Sequence, residues 1–238
     1  MFFTRRLPAD YPCTYDTWKT DESTWVIQDL TPEDDETAIK VLANYLITDE
    51  VLCSLQNLKD DPLSVREMCD FWRDCLAQRM SIACFEEKNG VRTLAGLNVC
   101  IVTHKDENLS IVQCKGPKWR NVYEALMYVE HKTDCYQYFG TDKVLHAMGL
   151  VVRRDYRGAR LGQKILAARE ALAKSQGIIG TATVFTGIAS QIPAARNGFV
   201  TIAEATMDEL ADIGLPYPRN DERTIKYMVK KFKQNPSY

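Results

Sequence analysis

The sequence predicts a mixed α/β (α+β) fold with one sheet of about seven strands and helices on both of its faces. Segments with strand and helix periodicity follow one another in the order β, α, α, β, β, α, β, α, β, α, β. Asn89-Gly90 between two apolar runs indicates a hairpin. Residues 146–174 have the pattern of a strand, a tight turn and an amphipathic helix.

The N-terminal segment indicates an arm, a strand and a helix. Residues 1–23 are rich in Pro, Tyr and Thr without a period, so we expect an extended arm there and a single domain over 24–238. The sequence WVIQDL at 25–30 predicts a short strand. The next helix begins at Thr31, because this threonine precedes a proline and two acidic residues, and it ends near Ile47.

The middle of the chain continues with helices and a hairpin. Apolar residues at helical spacing predict a helix over 64–80. The Asn-Gly turn joins strands over 81–86 and 93–103. The aromatic-rich part of 104–142 predicts a further helix near 119–131.

The C-terminal third alternates strands with short helices. A strand rich in β-branched residues covers 178–185, and a turn with a short helix covers 186–196. Another strand runs from 198 to about 204, and 205–221 form a loop or short helix with two prolines. The alternating sequence TIKYMVKKF at 224–232 predicts the last strand.

The segment over 146–174 carries the strongest structural signal. Apolar side chains alternate along its strand and a further one lies between them, which predicts burial of both faces. One apolar stripe recurs along its helix at spacings of four, three and four. The strand residues are Met148, Leu150, Val151 and Val152, and the helix residues are Leu161, Ile165, Ala168 and Leu172.

The turn between this strand and helix has the composition of a phosphate site. It combines four arginines with Gly158 and Gly162 at the positive end of a helix, where the first amides lack partners. The P-loop pattern does not fit, because the glycines are one residue too close and Ile165 stands where a hydroxyl is needed. The dinucleotide pattern G-x-G-x-x-G is absent. The arginines are Arg153, Arg154, Arg157 and Arg160.

Arg157-x-x-Arg160-x-Gly162 resembles the [QR]-x-x-G-x-[GA] turn of the GCN5-related N-acetyltransferases (GNATs), whose amides hold the pyrophosphate of acetyl-CoA. Arg160 replaces the first glycine of that turn. An arginine is tolerated there if φ is negative, and it costs on the order of 1 kcal/mol or more if φ is positive. The resemblance implies a single mixed, mostly antiparallel, twisted sheet.

Three segments make the resemblance more specific, to the insect arylalkylamine N-acetyltransferases. They are PEDDETAIKVLANYLITDEVL, GLVVRRDYRGARLG and TGIASQIPAARNGF, and the resemblance covers about residues 24–232. In that family the glutamate of the first segment is the proposed general base, and it matches Glu50. The hydroxyls of the third segment match Thr186 and Ser190, and Ala194 stands where the wider superfamily often has a tyrosine acid.

The resemblance also implies how acetyl-CoA is held. The backbone of Leu150, Val151 and Val152 matches the strand that pairs with the pantetheine arm. Ser190, which matches one of the family's hydroxyls, could donate to the sulfur of coenzyme A. The backbone of the turn matches the pyrophosphate site, and its residues are Arg157, Gly158, Ala159, Arg160, Leu161 and Gly162.

Each candidate residue also has an ordinary structural role that the sequence leaves open. Glu50 could be a solvated carboxylate at a helix end, and Ser190 could cap a helix with Pro193 in its first turn. Arginines are commonly solvated on surfaces. The aromatic residues over 119–139 could wall an amine pocket or simply pack in the core.

The composition narrows the class of partner. A net charge of −2 gives no support for a nucleic-acid partner, and no run reaches the roughly 18 apolar residues of a membrane span. The N-terminus lacks the apolar core of a secretory signal. Three histidines without ligand spacing predict no metal site. Eight cysteines without a C-x-x-C pair are typical of reduced thiols in a cytoplasmic protein.

The resulting hypothesis is a cytoplasmic N-acetyltransferase that uses acetyl-CoA as co-substrate and no metal. Its expected acceptor is a small primary amine, with arylalkylamines as the expected class, and transfer is direct within a ternary complex. One alternative is a different small acceptor, such as a diamine, a polyamine or an amino-acid amide. Another is a degenerate acetyl-CoA-binding protein, motivated by Arg160. The sequence does not indicate the oligomeric state.

Overall fold

A computed structural model of the chain describes residues 3–106 and 114–233. This part of the chain forms one eight-stranded sheet in the order β1-β2-β3-β4-β5-β6-β8-β7. Neighbouring strands pair antiparallel except for the parallel pair β5 and β6. The strands are β1 Thr14–Lys19, β2 Thr24–Asp29, β3 Ile82–Lys88, β4 Val91–His104, β5 Lys143–Val152, β6 Gly180–Phe185, β7 Val200–Thr206 and β8 Thr224–Lys231.

Helices connect these strands and cover both faces of the sheet. The α-helices are α1 Asp35–Val41, α2 Ile47–Asp49, α3 Val51–Leu55, α4 Pro62–Leu76, α5 Pro117–Glu130, α6 Cys135–Phe139, α7 Leu161–Ser175, α8 Ile188–Arg196 and α9 Met207–Asp212. Short 3₁₀ turns lie at Pro32–Asp34, Leu58–Asp60 and Arg154–Tyr156. The larger apolar core lies under α1 to α6, and a second core lies under α7. The mixed α/β prediction is therefore confirmed.

The sheet has eight strands rather than about seven, because residues of the predicted arm pair with β2. Thr14–Lys19 form the edge strand β1. A buried ion pair ties the preceding residues to the sheet, with Arg5 Nη1 2.6 Å from Asp29 Oδ1 and side chains that are 1% and 0% exposed. Tyr15 also donates to Asp29, at 2.5 Å. A pairing partner that is distant in sequence thus decides the structure of this segment.

The first helix is longer and less regular than its periodicity indicates. After α1 the chain makes a π-helical turn over Leu42–Leu46 and then the single turn α2. Glu50 interrupts the helix with an extended backbone, at φ −69° and ψ 137°, and α3 begins directly after it. π-Helical turns within α-helices, such as the one over Leu42–Leu46, are frequent at functional sites. The interruption turns the backbone at the residue that the sequence singles out as a base.

The strands β5 and β6 separate soon after they meet. Within these described strands, the pairing is limited to Leu145 with Thr181 and His146 with Ala182. On its other side β5 stays paired with β4 as far as Val152, with one extra residue between Ala147 and Gly149. The second half of β5 therefore presents an open edge to the space between the two strands.

This open edge explains why the predicted burial of both faces of β5 is wrong for its second half. Ala147, Met148, Gly149, Leu150 and Val152 are each partly exposed, whereas Val151 is buried. The helix stripe behaves as predicted, since Leu161, Ile165, Ala168 and Leu172 are all buried. No helix in the described ranges is long and apolar enough to cross a membrane.

The buried ion pair of the arm is expected to carry much of its attachment. Asp29→Asn leaves the Arg5 guanidinium buried without a counter-charge, which should lower the free energy of unfolding by about 3–5 kcal/mol. Urea denaturation measures the change. Glu22→Gln, at the exposed pair with Lys88, is the matched control and should leave the midpoint unchanged. Equal, small effects of both substitutions would contradict a structural role for the arm.

Candidate active site

A cleft of about 1190 Å³ opens where β5 and β6 separate. It runs from the turn after β5, past the open edge of that strand, to the inner side of α5 and α6. All three predicted catalytic residues, Glu50, Thr186 and Ser190, line it, although Glu50 is 136 residues from Thr186 in sequence. The structure therefore brings the predicted hydroxyls, carboxylate and phosphate turn into one cavity.

The turn before α7 presents a row of backbone amides. Among residues 3–106 and 114–233, no acceptor faces the N–H groups of Gly158, Ala159, Arg160, Leu161 or Gly162, and the first two amides with backbone partners are those of Gln163 and Lys164. The helix behind them has 15 residues, so its positive end adds to the field at this point. Successive free amides at a helix start are suited to a phosphate or diphosphate.

Arg160 has the backbone conformation that favours glycine. Its φ is +57° and its ψ is 22°, and it is the N-cap residue of α7. Gly158 also has a positive φ, of +90°. The condition under which arginine would be tolerated without strain, a negative φ, is therefore not met. Holding a non-glycine residue here costs about 1 kcal/mol or more.

Two arginine side chains of the turn, Arg154 and Arg157, are paired with the carboxylate of Asp49. Arg157 Nη2 and Arg154 both form ion pairs with Asp49, the first at 2.5 Å. Arg157 Nε also donates to the carbonyl of Val152, at 3.1 Å. The Arg154 guanidinium lowers the pKa of Asp49 below its usual range, with help from Arg157. The backbone amides are thus the groups of this turn that stand ready for an anion.

Glu50 is held by three hydrogen bonds. Its carboxylate accepts from the amide of Leu52 at 3.0 Å and from that of Cys53 at 2.7 Å, which caps α3. The Thr186 hydroxyl donates to the same carboxylate. A carboxylate has about four acceptor positions, so these three described bonds leave one position, on Oε2, for a further donor. The ordinary role of a freely solvated carboxylate does not apply.

Gly187 makes this arrangement possible. A Cβ at this position would lie 2.7 Å from Cγ2 of Val51, which is closer than real contacts allow. The loop after β6 can therefore approach the start of α3 closely enough for Thr186 to reach Glu50. The glycine of the TGIAS segment has a packing role that its sequence alone does not reveal.

Ser190 lies inside α8 rather than at its cap. The N-cap residue is Gly187, and the Ser190 hydroxyl donates to its carbonyl at 2.9 Å. The helix begins five residues before Pro193, so the interpretation of Ser190 as a helix cap with Pro193 in the first turn is wrong. Ser190 is partly exposed and lines the cleft.

A buried polar network that sequence reasoning missed supports the open edge of β5. Arg169 on α7 donates to Asn98 Oδ1 at 2.6 Å, and Asn98 donates to the carbonyl of Gly149 at 2.7 Å. Trp72 Nε1 donates to the neighbouring carbonyl of Met148, at 2.8 Å. Together these side chains satisfy the two carbonyls at the extra residue of β5. Arg169 continues the apolar stripe of its helix, which is the signal that it points inward.

Comparison with known proteins places the architecture. No protein-family model and no curated protein matches the chain. Among solved structures, the protein named arylalkylamine N-acetyltransferase 7 of the yellow fever mosquito Aedes aegypti is 28% identical. Its TM-score is 0.88, and the match covers 96% of this chain and 99% of that chain.

The chain has the GCN5-related N-acetyltransferase fold. Arylalkylamine N-acetyltransferase 2 from Aedes aegypti shares it at 19% identity and a TM-score of 0.73, over 88% of this chain and 99% of that one. A Drosophila melanogaster polyamine N-acetyltransferase shares it at 16% identity and a TM-score of 0.75, over 87% and 100%. The GNAT fold predicted from the sequence motifs is confirmed, and the neighbours support an N-acetyltransferase activity.

The residues of this GNAT cleft fit an acyl-CoA by their own geometry. The free amides before α7 can accept a diphosphate, and the unpaired edge at Leu150, Val151 and Val152 can pair with an extended amide chain. A Cβ at Gly158 would meet no atom within 4 Å, so the cradle is open on the ligand side. In the described part of the chain, no group of His, Cys, Asp and Glu residues could hold a metal ion.

The strained arginine gives a direct test of the turn geometry. Arg160→Gly relieves the strain of a positive φ in the folded state, but it also raises the conformational entropy of the unfolded chain. Because these two effects oppose each other, the free energy of unfolding should change by less than about 0.5 kcal/mol. Arg66→Gly, on the exposed side of α4, should cost about 1 kcal/mol. Urea denaturation compares the two variants. A loss for Arg160→Gly as large as that for Arg66→Gly would contradict the left-handed turn.

Proposed function

We propose that this protein is an acetyl-CoA-dependent N-acetyltransferase of small primary amines, with arylalkylamines as the leading class of acceptor. One observation carries the proposal. Glu50, which keeps one acceptor position, and the turn with the free amides before α7 line the same cleft, together with the open edge of β5. This arrangement pairs a site for the donor with a proton acceptor for the amine.

Acetyl transfer to an amine requires that the ammonium lose a proton before its nitrogen attacks the acetyl carbon. Glu50 Oε2 can accept that proton, directly or through one water, while Oε1 stays fixed by Leu52 and Thr186. The nitrogen–carbon bond forms, the carbon–sulfur bond breaks, and the second proton that the nitrogen loses equals the one that the sulfur takes up. Ser190, whose hydroxyl donates to the carbonyl of Gly187, can turn towards the sulfur and stabilise the thiolate by a hydrogen bond or relay that proton to it.

Direct transfer is favoured over a covalent acyl-cysteine. Cys53 and Cys135 are the cysteines that line the described cleft. Burial raises the pKa of the Cys53 thiol well above its usual value, and it raises the pKa of Cys135 to about 11. The thiolate is the nucleophilic form, so both side chains are poor nucleophiles near neutral pH.

A row of aromatic side chains in the cleft favours an aromatic amine. Phe71, Trp119 and Tyr123 line it as a continuous row, with ring centroids 5.5 Å and 6.1 Å apart. Aromatic faces bind both the ring of a ligand and its ammonium group. The structural similarity to insect arylalkylamine N-acetyltransferases points the same way.

The proposed compartment is the cytoplasm. All eight cysteines are free thiols, which is typical of proteins in a reducing compartment. A labelled protein that enters the secretory pathway would contradict this assignment.

The activity is tested by calorimetry with acetyl-CoA and by release of free thiol over a panel of primary amines. We expect binding of acetyl-CoA and turnover that depends on the amine. Failure to bind at millimolar ligand would remove the proposal. Binding without turnover on any amine would favour the alternative of a degenerate acetyl-CoA-binding protein.

The role of Glu50 is tested by Glu50→Asn, because asparagine is a good helix N-cap but cannot accept the proton. We expect kcat/KM to fall by a factor on the order of 10²–10⁴, as for loss of a general base, with stability retained. Glu50→Ala should also lose the helix cap, which lowers the free energy of unfolding by about 1 kcal/mol. An unchanged rate for Glu50→Asn would reduce Glu50 to a structural cap.

A further inference from the structure

We propose that Arg169 is a positioning residue that holds β5 and β6 apart, so that the extended arm of acyl-CoA can enter between them. The arm is the pantetheine chain that joins the diphosphate to the sulfur. The inference rests on the proposed use of acetyl-CoA and gives a role to a buried side chain that the reaction itself does not use. It depends on where the two strands part and on which strands one guanidinium joins.

The strands β5 and β6 part at one defined level of the sheet. The last pair in these described strands joins His146 of β5 to Ala182 of β6. Both strands continue beyond this pair, β5 as far as Val152 and β6 as far as Phe185. Backbone groups in a protein interior pair wherever a partner is within reach. Side chains must therefore keep the second halves of these strands from continuing the ladder.

The Arg169 side chain reaches this level from α7. Its Nη1 donates to the hydroxyl of Thr183 at 2.8 Å, and Thr183 is the residue of β6 directly after the last pair. Its Nε donates to Oδ1 of Asn98, on β4, at 2.6 Å. Because β5 lies between β4 and β6 in the sheet, one guanidinium joins the strands on either side of β5.

The two acceptors of Arg169 are themselves fixed to the backbone. Asn98 Nδ2 donates to the carbonyl of Gly149 on β5 at 2.7 Å, and the Thr183 hydroxyl donates to the carbonyl of Ala182 at 2.6 Å. A continuous series of hydrogen bonds thus runs from β5 to β6 through side chains, where backbone pairing has ended. We call the set of Gly149, Asn98, Arg169 and Thr183 the side-chain bridge.

The side-chain bridge can set a distance because its central group is rigid. A guanidinium is a planar fork whose donors have fixed relative directions. Directly paired strands lie about 4.8 Å apart, and a bridge of two side chains between them needs more space than that. The fork of Arg169 therefore favours separated strands, and it holds Thr183 at a defined place relative to Gly149.

This arrangement is a costly way to tie two strands together. Arg169 is 1% exposed, and it forms no ion pair with residues 3–106 or 114–233. Within the same ranges its Nη2 has no hydrogen-bond partner. A buried cation without a counter-charge is destabilising, and an apolar side chain in the stripe of α7 would avoid that penalty. Arg169 and Thr183 both line the cleft, so the benefit of the fork is expected there.

The space that the side-chain bridge keeps open suits an extended chain of amides. The pantetheine arm contains two amide groups, and such a chain can pair with an open strand edge. The turn with the free amides follows this edge directly, since β5 ends at Val152 and α7 begins at Leu161. An acyl-CoA with its diphosphate at the turn can therefore run its arm along β5 towards Gly149, as long as β6 stays clear.

The experiment measures the affinity of the full-length protein for CoA and for 3′-phosphoadenosine 5′-diphosphate, which is CoA without the arm, by calorimetry. Thr183→Val keeps the shape of the side chain and removes the acceptor of Arg169. We expect the affinity for CoA to fall by about tenfold, as for the loss of one hydrogen bond to a charged group, and the affinity for the fragment to stay unchanged. Thr183→Ser keeps the hydroxyl and should bind CoA like the native protein.

Thr181→Val is the matched control, because Thr181 lies two residues earlier on the same strand and the same face. Its hydroxyl donates to the carbonyl of Leu145 at 2.7 Å, so it is not a member of the side-chain bridge. It is fully buried and does not line the described cleft. Both affinities should stay unchanged. A loss of CoA affinity as large as that in Thr183→Val would reflect general weakening of β6 and would overturn the proposal.

Arg169→Lys tests whether Thr183 acts through Arg169. An ammonium group is a single point of charge and does not reproduce the two directed bonds of the fork, so we expect the same selective loss of CoA affinity. Adding Thr183→Val to Arg169→Lys should cause no further loss, because both changes remove one interaction. Losses that multiply would mean that Thr183 contacts the arm by itself, which contradicts the role given to Arg169.

The remaining outcomes separate this inference from the proposed function. Unchanged CoA affinity in Thr183→Val, or an equal loss for CoA and the fragment, overturns the role of Arg169 and leaves the acetyltransferase intact. A native protein that binds the fragment as tightly as CoA gives the arm no place between the strands and also overturns it. Selective loss in a protein that binds CoA but acetylates no amine keeps the role of Arg169 while the proposed function fails. Binding of neither ligand removes both.

Discussion

The separation of β5 from β6 is the constraint on which the rest of the structure depends. Two paired residues hold these parallel strands together, and beyond them the backbone of β5 must satisfy its polar groups elsewhere. Trp72 on α4 donates to the carbonyl of Met148, and Asn98 on the neighbouring strand β4 donates to that of Gly149. The strand can then remain open along a cleft without collapsing onto its neighbour.

This support has a cost that falls on Arg169. The side chain is almost fully buried, and its Nη2 has no hydrogen-bond partner in the described ranges. Burial lowers the pKa of the guanidinium, which reflects the penalty of a charge without a counter-ion. Arg169 also lines the cleft. The penalty of burying its charge therefore arises at the candidate site as well as in the core.

Much of the architecture follows from local sequence, but the decisive contacts do not. The strand–turn–helix over 146–174 is legible because its apolar spacing, arginines and glycines lie within one short segment. The conformation of Arg160 cannot be predicted in this way, because the sequence of the turn is compatible with either a negative or a positive φ at this residue. Asn98 and Arg169 are 71 residues apart and meet only in the folded chain, so no periodicity signals their hydrogen bond.

Glu50 illustrates the same division. Its place in a family motif nominates it, but its function as a capping residue depends on the interruption between α2 and α3. The proximity of Thr186 depends on Gly187 and its close approach to Val51. Sequence therefore indicates which side chain to examine, and the fold determines how many of its acceptor positions remain for chemistry.

Asp49 links the two halves of the cleft mechanically. It pairs with Arg154 and Arg157 of the turn, and it directly precedes Glu50 in the chain. These ion pairs are largely solvated, so each is weak enough to be exchanged when an anion arrives. Because Asp49 directly precedes Glu50, the same two ion pairs that hold the turn also fix the segment that carries the carboxylate relative to it.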